Sequence, residues 1–152
     1  MIKLEVSSDS LAKVSRTLRD ASDATRVRVL KVGAAVIKSR SELAFHQADM
    51  RPSEWAPLAE STIKRKAKKK QSPNPLMATG NMKRSLAIKN PTPDSIEIGS
   101  YTDYASYQQF GTTHIPPRPF MPEEGGKLTP AAEREVAAAM QSAAAAILSK
   151  IK

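Results

Sequence analysis

The sequence predicts an α+β fold in which a small, mostly antiparallel sheet packs against a long N-terminal helix and a C-terminal helix, with extended loops between them. Three observations support it. Apolar residues recur at helical spacing across 27–48, alternating apolar residues flank a proline-rich turn at 90–94, and an alanine-rich helix begins at a proline near residue 130. The length of 152 residues suits one domain, so we expect a single domain over 1–152.

The N-terminal segment predicts a strand that leads into helices. Ile2, Leu4 and Val6 alternate with polar residues, and the polar residues at 7–10 can cap a helix. A short amphipathic helix should follow, then a break at 20–23 and the long helix.

The long helix competes locally with a strand. Residues 26–29 alternate arginine and valine, as a strand would, but the longer 3.6-residue period and the alanines favour a helix.

The middle of the chain is divided by prolines. We expect loops that are extended or mobile at 50–57, 71–78 and 112–128. A helix should run over 57–70, with Pro57 in its first turn, where a missing amide hydrogen costs little.

Four further local predictions concern the second half of the chain. Thr79 should cap a short helix, and the alternating pairs on either side of 90–94 should form a β-hairpin. The segment 101–110 should contain helical turns that Gly111 ends. Thr129 should be the N-cap of the C-terminal helix.

Composition restricts the function. The 24 Lys and Arg against 15 Asp and Glu give a formal net charge of +9, which favours an acidic partner such as nucleic acid, an anionic membrane surface or an acidic protein face. The absence of cysteine excludes disulfides, thiolate nucleophiles and cysteine-bound zinc. No apolar run reaches the roughly 20 residues of a membrane span, and the N-terminus lacks a signal-peptide core, so we expect a protein kept in the cytosol without membrane contact.

The sequence offers little catalytic chemistry. His46 and His114 stand far apart without acidic neighbours at metal-ligand spacing, and Glu123 and Glu124 are typical of a solvated turn. No glycine pattern matches a phosphate-binding loop. We therefore expect a protein that is not an enzyme and that holds no metal or cofactor.

A basic run is the strongest electrostatic feature, and its charges should point to nearly every side of a helix and stay unburied. Its members are Lys64, Arg65, Lys66, Lys68, Lys69 and Lys70. The run fits a solvated helix end, sequence-independent contact with DNA phosphates, or contact with an acidic protein.

An aromatic cluster follows at three-residue intervals, at Tyr101, Tyr104, Tyr107 and Phe110. On a helix these rings would share one face, which is consistent with core packing or with an interface to a partner.

Several short motifs then combine in a fixed order. They are Trp55-Ala56-Pro57-Leu58, Thr62 with the basic run, Leu76 to Ser85 containing Thr79-Gly80, Gly99-Ser100, Tyr104-Ala105, Gln109-Phe110-Gly111 and Pro117-Arg118-Pro119-Phe120. Over about residues 50 to 122 this order resembles the phage virion morphogenesis family, the group of the Mu-type G protein and related tail completion proteins. Met82 departs from the leucine expected after Thr-Gly, and Gln108 from a histidine that often precedes Gln-Phe-Gly.

The resemblance implies a structural protein of the head–tail junction, a neck or tail completion protein. It implies a homo-oligomeric ring, with a hexamer as the best single estimate, that joins the tail to the DNA-filled head. Expected partners are further copies of the chain, other neck, connector or tail proteins, and DNA in the channel. The location would be the virion, after assembly in the host cytoplasm. The alternative is a sequence-independent DNA-binding or head-assembly protein, and a virion enzyme has the least support.

The family motifs also indicate candidate contact residues. Pro117 and Pro119 stiffen an arm around Arg118 that ends in Phe120, suited either to insertion into a neighbouring subunit or to strapping the core of the same chain. The predicted interface set is Trp55, Tyr104, Gln109, Phe110, Gly111, Arg118, Pro119 and Phe120. The basic run is the predicted contact with DNA or an acidic partner.

Overall fold

A computed structural model describes residues 2–7 and 12–150 of the chain. This part contains six α-helices, one three-stranded sheet and one two-stranded sheet. The strands are β1 (Ile2–Ser7), β2 (Leu86–Lys89), β3 (Ser95–Ser100), β4 (Glu123–Glu124) and β5 (Lys127–Leu128). The helices are α1 (Ala12–Leu18), α2 (Asp23–Ala44), α3 (Glu60–Lys68), α4 (Asn81–Arg84), α5 (Ala105–Phe110) and α6 (Pro130–Leu148). The predicted α+β class is confirmed.

The main sheet is antiparallel and has the order β1-β3-β2. Its register places Leu4 opposite Ile98, and Ile98 opposite Ile88, so that one apolar row crosses all three strands. This confirms the predicted hairpin, because the period-2 apolar residues of both arms face the core. The predicted capping residues at 8–10 lie outside the described residues.

The long helix α2 is the centre of the molecule. It contacts all three strands of the sheet, and α6 packs along it and against α1. The buried side of α2 carries Val29, Leu30, Ala34 and Ile37, which recur at helical spacing as the sequence predicted.

The N-terminus of α2 agrees with the sequence-based prediction better than its C-terminus does. Ser22 caps the N-terminus by accepting a hydrogen bond from the amide of Thr25 at 3.4 Å. The apolar period extends to Ala48, but the helix ends at Ala44, whose carbonyl accepts a hydrogen bond from Nε of Arg51 at 2.9 Å. A 3₁₀ turn at Ala48–Met50 follows.

The helix predicted over 57–70 is too long at both ends, since α3 spans Glu60–Lys68. The chain stays extended through Ala59, which has ψ 145°. The carbonyls of Ala56 and Pro57 bind the Arg118 side chain, and this tertiary contact holds the preceding segment out of the helix.

The short helix α4 also begins later than predicted. Gly80 occupies the N-cap position with φ +73°, so the expected cap Thr79 lies before it. The Thr79 hydroxyl accepts only a long bond of 3.4 Å from the amide of Asn81. A left-handed residue at this point suits glycine, which explains the Thr-Gly pair.

The last predicted loop is more regular than expected. Within 112–128, β4 and β5 form a small hairpin around Gly125 and Gly126. Segments 51–57 and 71–78 contain no helix or strand. The start of α6 follows the prediction: Thr129 is the N-cap and Pro130 the first helical residue, although the Thr129 side chain makes no capping hydrogen bond.

Candidate interaction surface

The arm around Arg118 is a strap over the core of its own chain. Phe120 is fully buried, and its ring lies 5.4 Å from that of Phe45. Trp55 is also buried and donates a hydrogen bond from Nε1 to the Pro119 carbonyl at 2.7 Å. These contacts show that the arm packs as a strap over the core of its own chain. A role for the arm in a subunit interface stays a prediction.

Gln109 holds the strap through hydrogen bonds to its backbone. Its Oε1 accepts hydrogen bonds from the amides of Phe120 and Met121, both at 3.0 Å, and its Nε2 donates to the Met121 carbonyl at 3.0 Å. The side chain is buried, so these three bonds satisfy it where water does not reach.

Arg118 connects the strap to the segment before α3. Its Nε donates to the Ala56 carbonyl at 3.0 Å and its Nη2 to the Pro57 carbonyl at 3.1 Å. Burial lowers the pKa of this guanidinium below its ordinary value, and the guanidinium remains a cation at neutral pH.

Three rings of the predicted aromatic cluster lie at the surface. Tyr104, Tyr107 and Phe110 are 43%, 55% and 60% exposed, while Ala105 and Gln109 fill the buried side of α5. Core packing, one of the two predicted alternatives, is therefore wrong for these rings. Tyr101 differs because it is half-buried with the Lys89 ammonium 3.7 Å from its ring centre. We call Tyr104, Tyr107 and Phe110 the aromatic face.

Gly111 fixes where α5 ends and the strap begins. Its φ of +76° and ψ of 178° belong to a region that only glycine readily adopts. A Cβ there would lie 2.8 Å from the Ile115 carbonyl oxygen and 2.9 Å from the Pro117 nitrogen. The prediction that Gly111 ends the helical turns of 101–110 is confirmed.

The members of the basic run differ in how far they are buried. Lys64, Arg65, Lys68, Lys69 and Lys70 are exposed, as the sequence predicted. The expectation that none is buried was wrong for Lys66.

Lys66 is only 6% exposed and donates a hydrogen bond from Nζ to the Asn74 carbonyl at 2.6 Å. Its burial lowers the pKa of the ammonium. Lys66 therefore ties α3 to the loop that follows it, which makes it a poor candidate for phosphate contact.

A groove of about 590 Å³ lies between α3, the loop before α4, and the strap. Leu58, Leu76 and Ile115 contribute apolar surface to it, and Tyr104 joins it to the aromatic face. Arg65, Lys66, Arg118 and His114 also line it. The sequence did not predict this groove, because its walls come from segments distant in the chain.

The two histidines do not form a metal site. His46 and His114 are both exposed, and Nε2 of His46 lies 3.0 Å from Nζ of Lys83. No cluster of metal-ligating side chains occurs within the described ranges 2–7 and 12–150. No helix in those ranges is long and apolar enough to cross a bilayer.

Exposed aromatic rings beside a basic, partly apolar groove are typical of proteins that bind other macromolecules through their surface. The phage virion morphogenesis family matches residues 4–149. The chain belongs to this family, whose role is structural or in assembly of the phage particle. No curated protein and no solved structure shows significant similarity to it.

Proposed function

We propose that this protein is a structural component of the head–tail junction, a neck or tail completion protein that assembles as a homo-oligomeric ring, with six copies as the best estimate, and joins tail to head. It works by association without catalytic turnover. Its partners are further copies of itself and neighbouring neck, connector or tail proteins in the virion. The observation that carries the proposal is the aromatic face, in a chain that belongs to a virion morphogenesis family.

The aromatic face has the properties of a subunit contact. Tyr and Phe are enriched at protein interfaces because they bury large area with few rotatable bonds. Tyr107 and Phe110 lie on α5, which the Gln109 hydrogen bonds tie to the strap and which ends at the turn that Gly111 forms. A rigid platform reduces the entropy lost on association.

Substituting Tyr107 and Phe110 together by serine tests the proposal. The wild-type protein should sediment as a ring and the double variant as smaller species, because the variant loses apolar area at the contact. Its melting temperature should stay close to that of the wild type, since both side chains are exposed. Phage supplied only with the variant should accumulate separate heads and tails, visible by electron microscopy.

Ile63→Ser is the matched control, because Ile63 is also 50% exposed but lies on α3. It should leave the ring intact. The proposal fails if the purified wild-type protein is strictly monomeric and phage lacking it still form joined, infectious particles.

Sequence-independent DNA binding is the second candidate, favoured by the five exposed cations of the basic run. Released counterions would make such binding fall steeply with added salt. Replacing Lys64, Lys68, Lys69 and Lys70 by glutamine should then flatten the salt dependence of duplex DNA binding. This candidate would be excluded if the affinity for duplex DNA changed neither with added salt nor with these substitutions.

A further inference from the structure

The charged side chains described along the groove beside α3 are all basic. Arg65, Lys66 and Arg118 line it, and among the residues that the structure describes, none in the lining is Asp or Glu. Arg65 is exposed at the rim, whereas Lys66 and Arg118 are recessed with 6% and 8% of their surface accessible. The groove therefore offers a positive potential above a partly apolar floor.

The helix that forms one wall of the groove has little support from its own chain. Within α3 only Lys66 is buried, and Ile63 is half-exposed. A nine-residue helix is marginal in isolation, and most helices gain their stability by burying an apolar face. An occupant of the groove would give α3 the packing partner that the core does not supply.

We infer that this groove binds an acidic segment of a different protein, with carboxylates paired to Arg65 and apolar side chains over Leu58, Leu76 and Ile115. A segment of this composition complements both the charge and the apolar floor of the groove. The identification of that protein as a neighbouring virion component rests on the proposed function.

DNA fits the groove less well than a peptide does. Phosphates of a duplex lie on a convex surface and reach protruding cations, but Lys66 and Arg118 are recessed and already bind backbone carbonyls. The apolar residues of the floor also have no counterpart in a phosphate backbone. A peptide side chain can enter a concave site of this size.

A second copy of the chain also fits less well. A second copy carries a formal net charge of +9, so it would bring an excess of positive charge to a groove that is already positive. The charge complement therefore favours another protein.

The test begins with selection of short random peptides displayed as a library against the purified full-length protein. Selected peptides should be enriched in Asp and Glu together with Leu, Ile or Phe. One synthetic, fluorescently labelled peptide from the selection is then titrated with protein and followed by fluorescence anisotropy. Arg65→Gln should weaken its binding about tenfold, because the variant loses the charge pair at the rim.

Lys64→Gln is the matched control, since it removes the same charge from the preceding residue of α3, which does not line the groove. It should change the affinity less than about twofold. Both variants alter exposed side chains, so circular dichroism should show folded proteins in each case.

Four results would overturn the inference. The selection could yield no acidic sequences, or Arg65→Gln and Lys64→Gln could weaken the peptide equally. A single-stranded oligonucleotide of equal charge could displace the peptide at the same concentration, which would identify DNA as the ligand. Self-association that Arg65→Gln abolishes would identify a second copy. Failure of the ring proposal is separate, because it is measured through Tyr107 and Phe110 on α5.

Discussion

Gln109 shows how one polar residue can organise a buried segment. Its amide group binds the backbone at Phe120 and Met121 through three hydrogen bonds and thereby fixes the strap against the core. The sequence singled out Gln109 through a family motif and predicted an interface role. The structure assigns it a role inside the chain, and its place in an interface remains a prediction.

Gln109→Ala should lower the free energy of unfolding by about 2 to 4 kcal/mol, because two amides and one carbonyl lose their partners in a buried place. Urea denaturation followed by Trp55 fluorescence measures the change. Gln108→Ala is the control, since that side chain is half-exposed and lines the groove. Equal stabilities for the two variants would contradict this role.

Lys66 makes a pH-dependent contribution. Burial lowers its pKa in the folded protein below the ordinary value of 10.5. Between these two values the unfolded chain binds more protons than the folded protein, so the free energy of unfolding should rise with pH across that window. Lys66→Met lacks this titration and should show a smaller rise.

Chemical denaturation at a series of pH values from neutral to about pH 10 measures the difference between the wild type and Lys66→Met. Lys64→Met serves for comparison, because Lys64 is largely exposed. A wild-type rise no steeper than that of Lys66→Met would show that burial of Lys66 does not perturb its titration.

At the scale of elements, the sequence predicted which segments form helices, but it misplaced several helix ends. The start of α6 follows from Thr129 and Pro130, which are local signals. The start of α3 does not, because Arg118 binds the carbonyls before it from a position about sixty residues away in the chain. Local propensity carries no information about such a contact.

The sequence correctly predicted that α5 ends at Gly111, because glycine is a local signal for a helix end. Gly111→Ala should destabilise the protein by about 3 kcal/mol or more, because the added Cβ meets backbone atoms of Ile115 and Pro117 and the dihedral angles disfavour alanine. Thermal unfolding followed by circular dichroism measures the loss.

Gly125→Ala is the control for backbone strain alone. Gly125 has φ +60°, but a Cβ there meets nothing within 4 Å, so the cost should be only about 1 kcal/mol. If both variants melted at the same temperature, the steric contribution at Gly111 would be refuted.

For the whole molecule, the decisive contact is the packing of α2 against α6. Gly33 allows the two helices to approach closely, since a Cβ at this position would lie 2.6 Å from Sδ of Met140 and 3.2 Å from Cγ1 of Val136. The sequence predicted both helices and their apolar sides, but it did not identify Gly33 as a point of contact between them.

Gly33→Val should reduce the free energy of unfolding by about 2 kcal/mol, because the larger side chain overpacks the contact with Val136 and Met140. Ala35→Val, on the exposed side of α2, should cost less than about 1 kcal/mol. Urea denaturation of both variants measures the contrast. A Gly33→Val protein as stable as Ala35→Val would mean that the helices separate at little cost.

The sequence by itself determined the α+β class, the β2–β3 hairpin, the start of α6 and the exposed character of most of the basic run, because periodicity, turn residues and charge act locally. The motif order also identified the family. Only the tertiary structure decided which singled-out residues are buried in the chain. Phe120, Arg118 and Lys66 bind distant backbone or core, whereas Tyr107 and Phe110 face solvent. The physical reason is that burial depends on what packs against a side chain, and those neighbours come from segments far away in sequence.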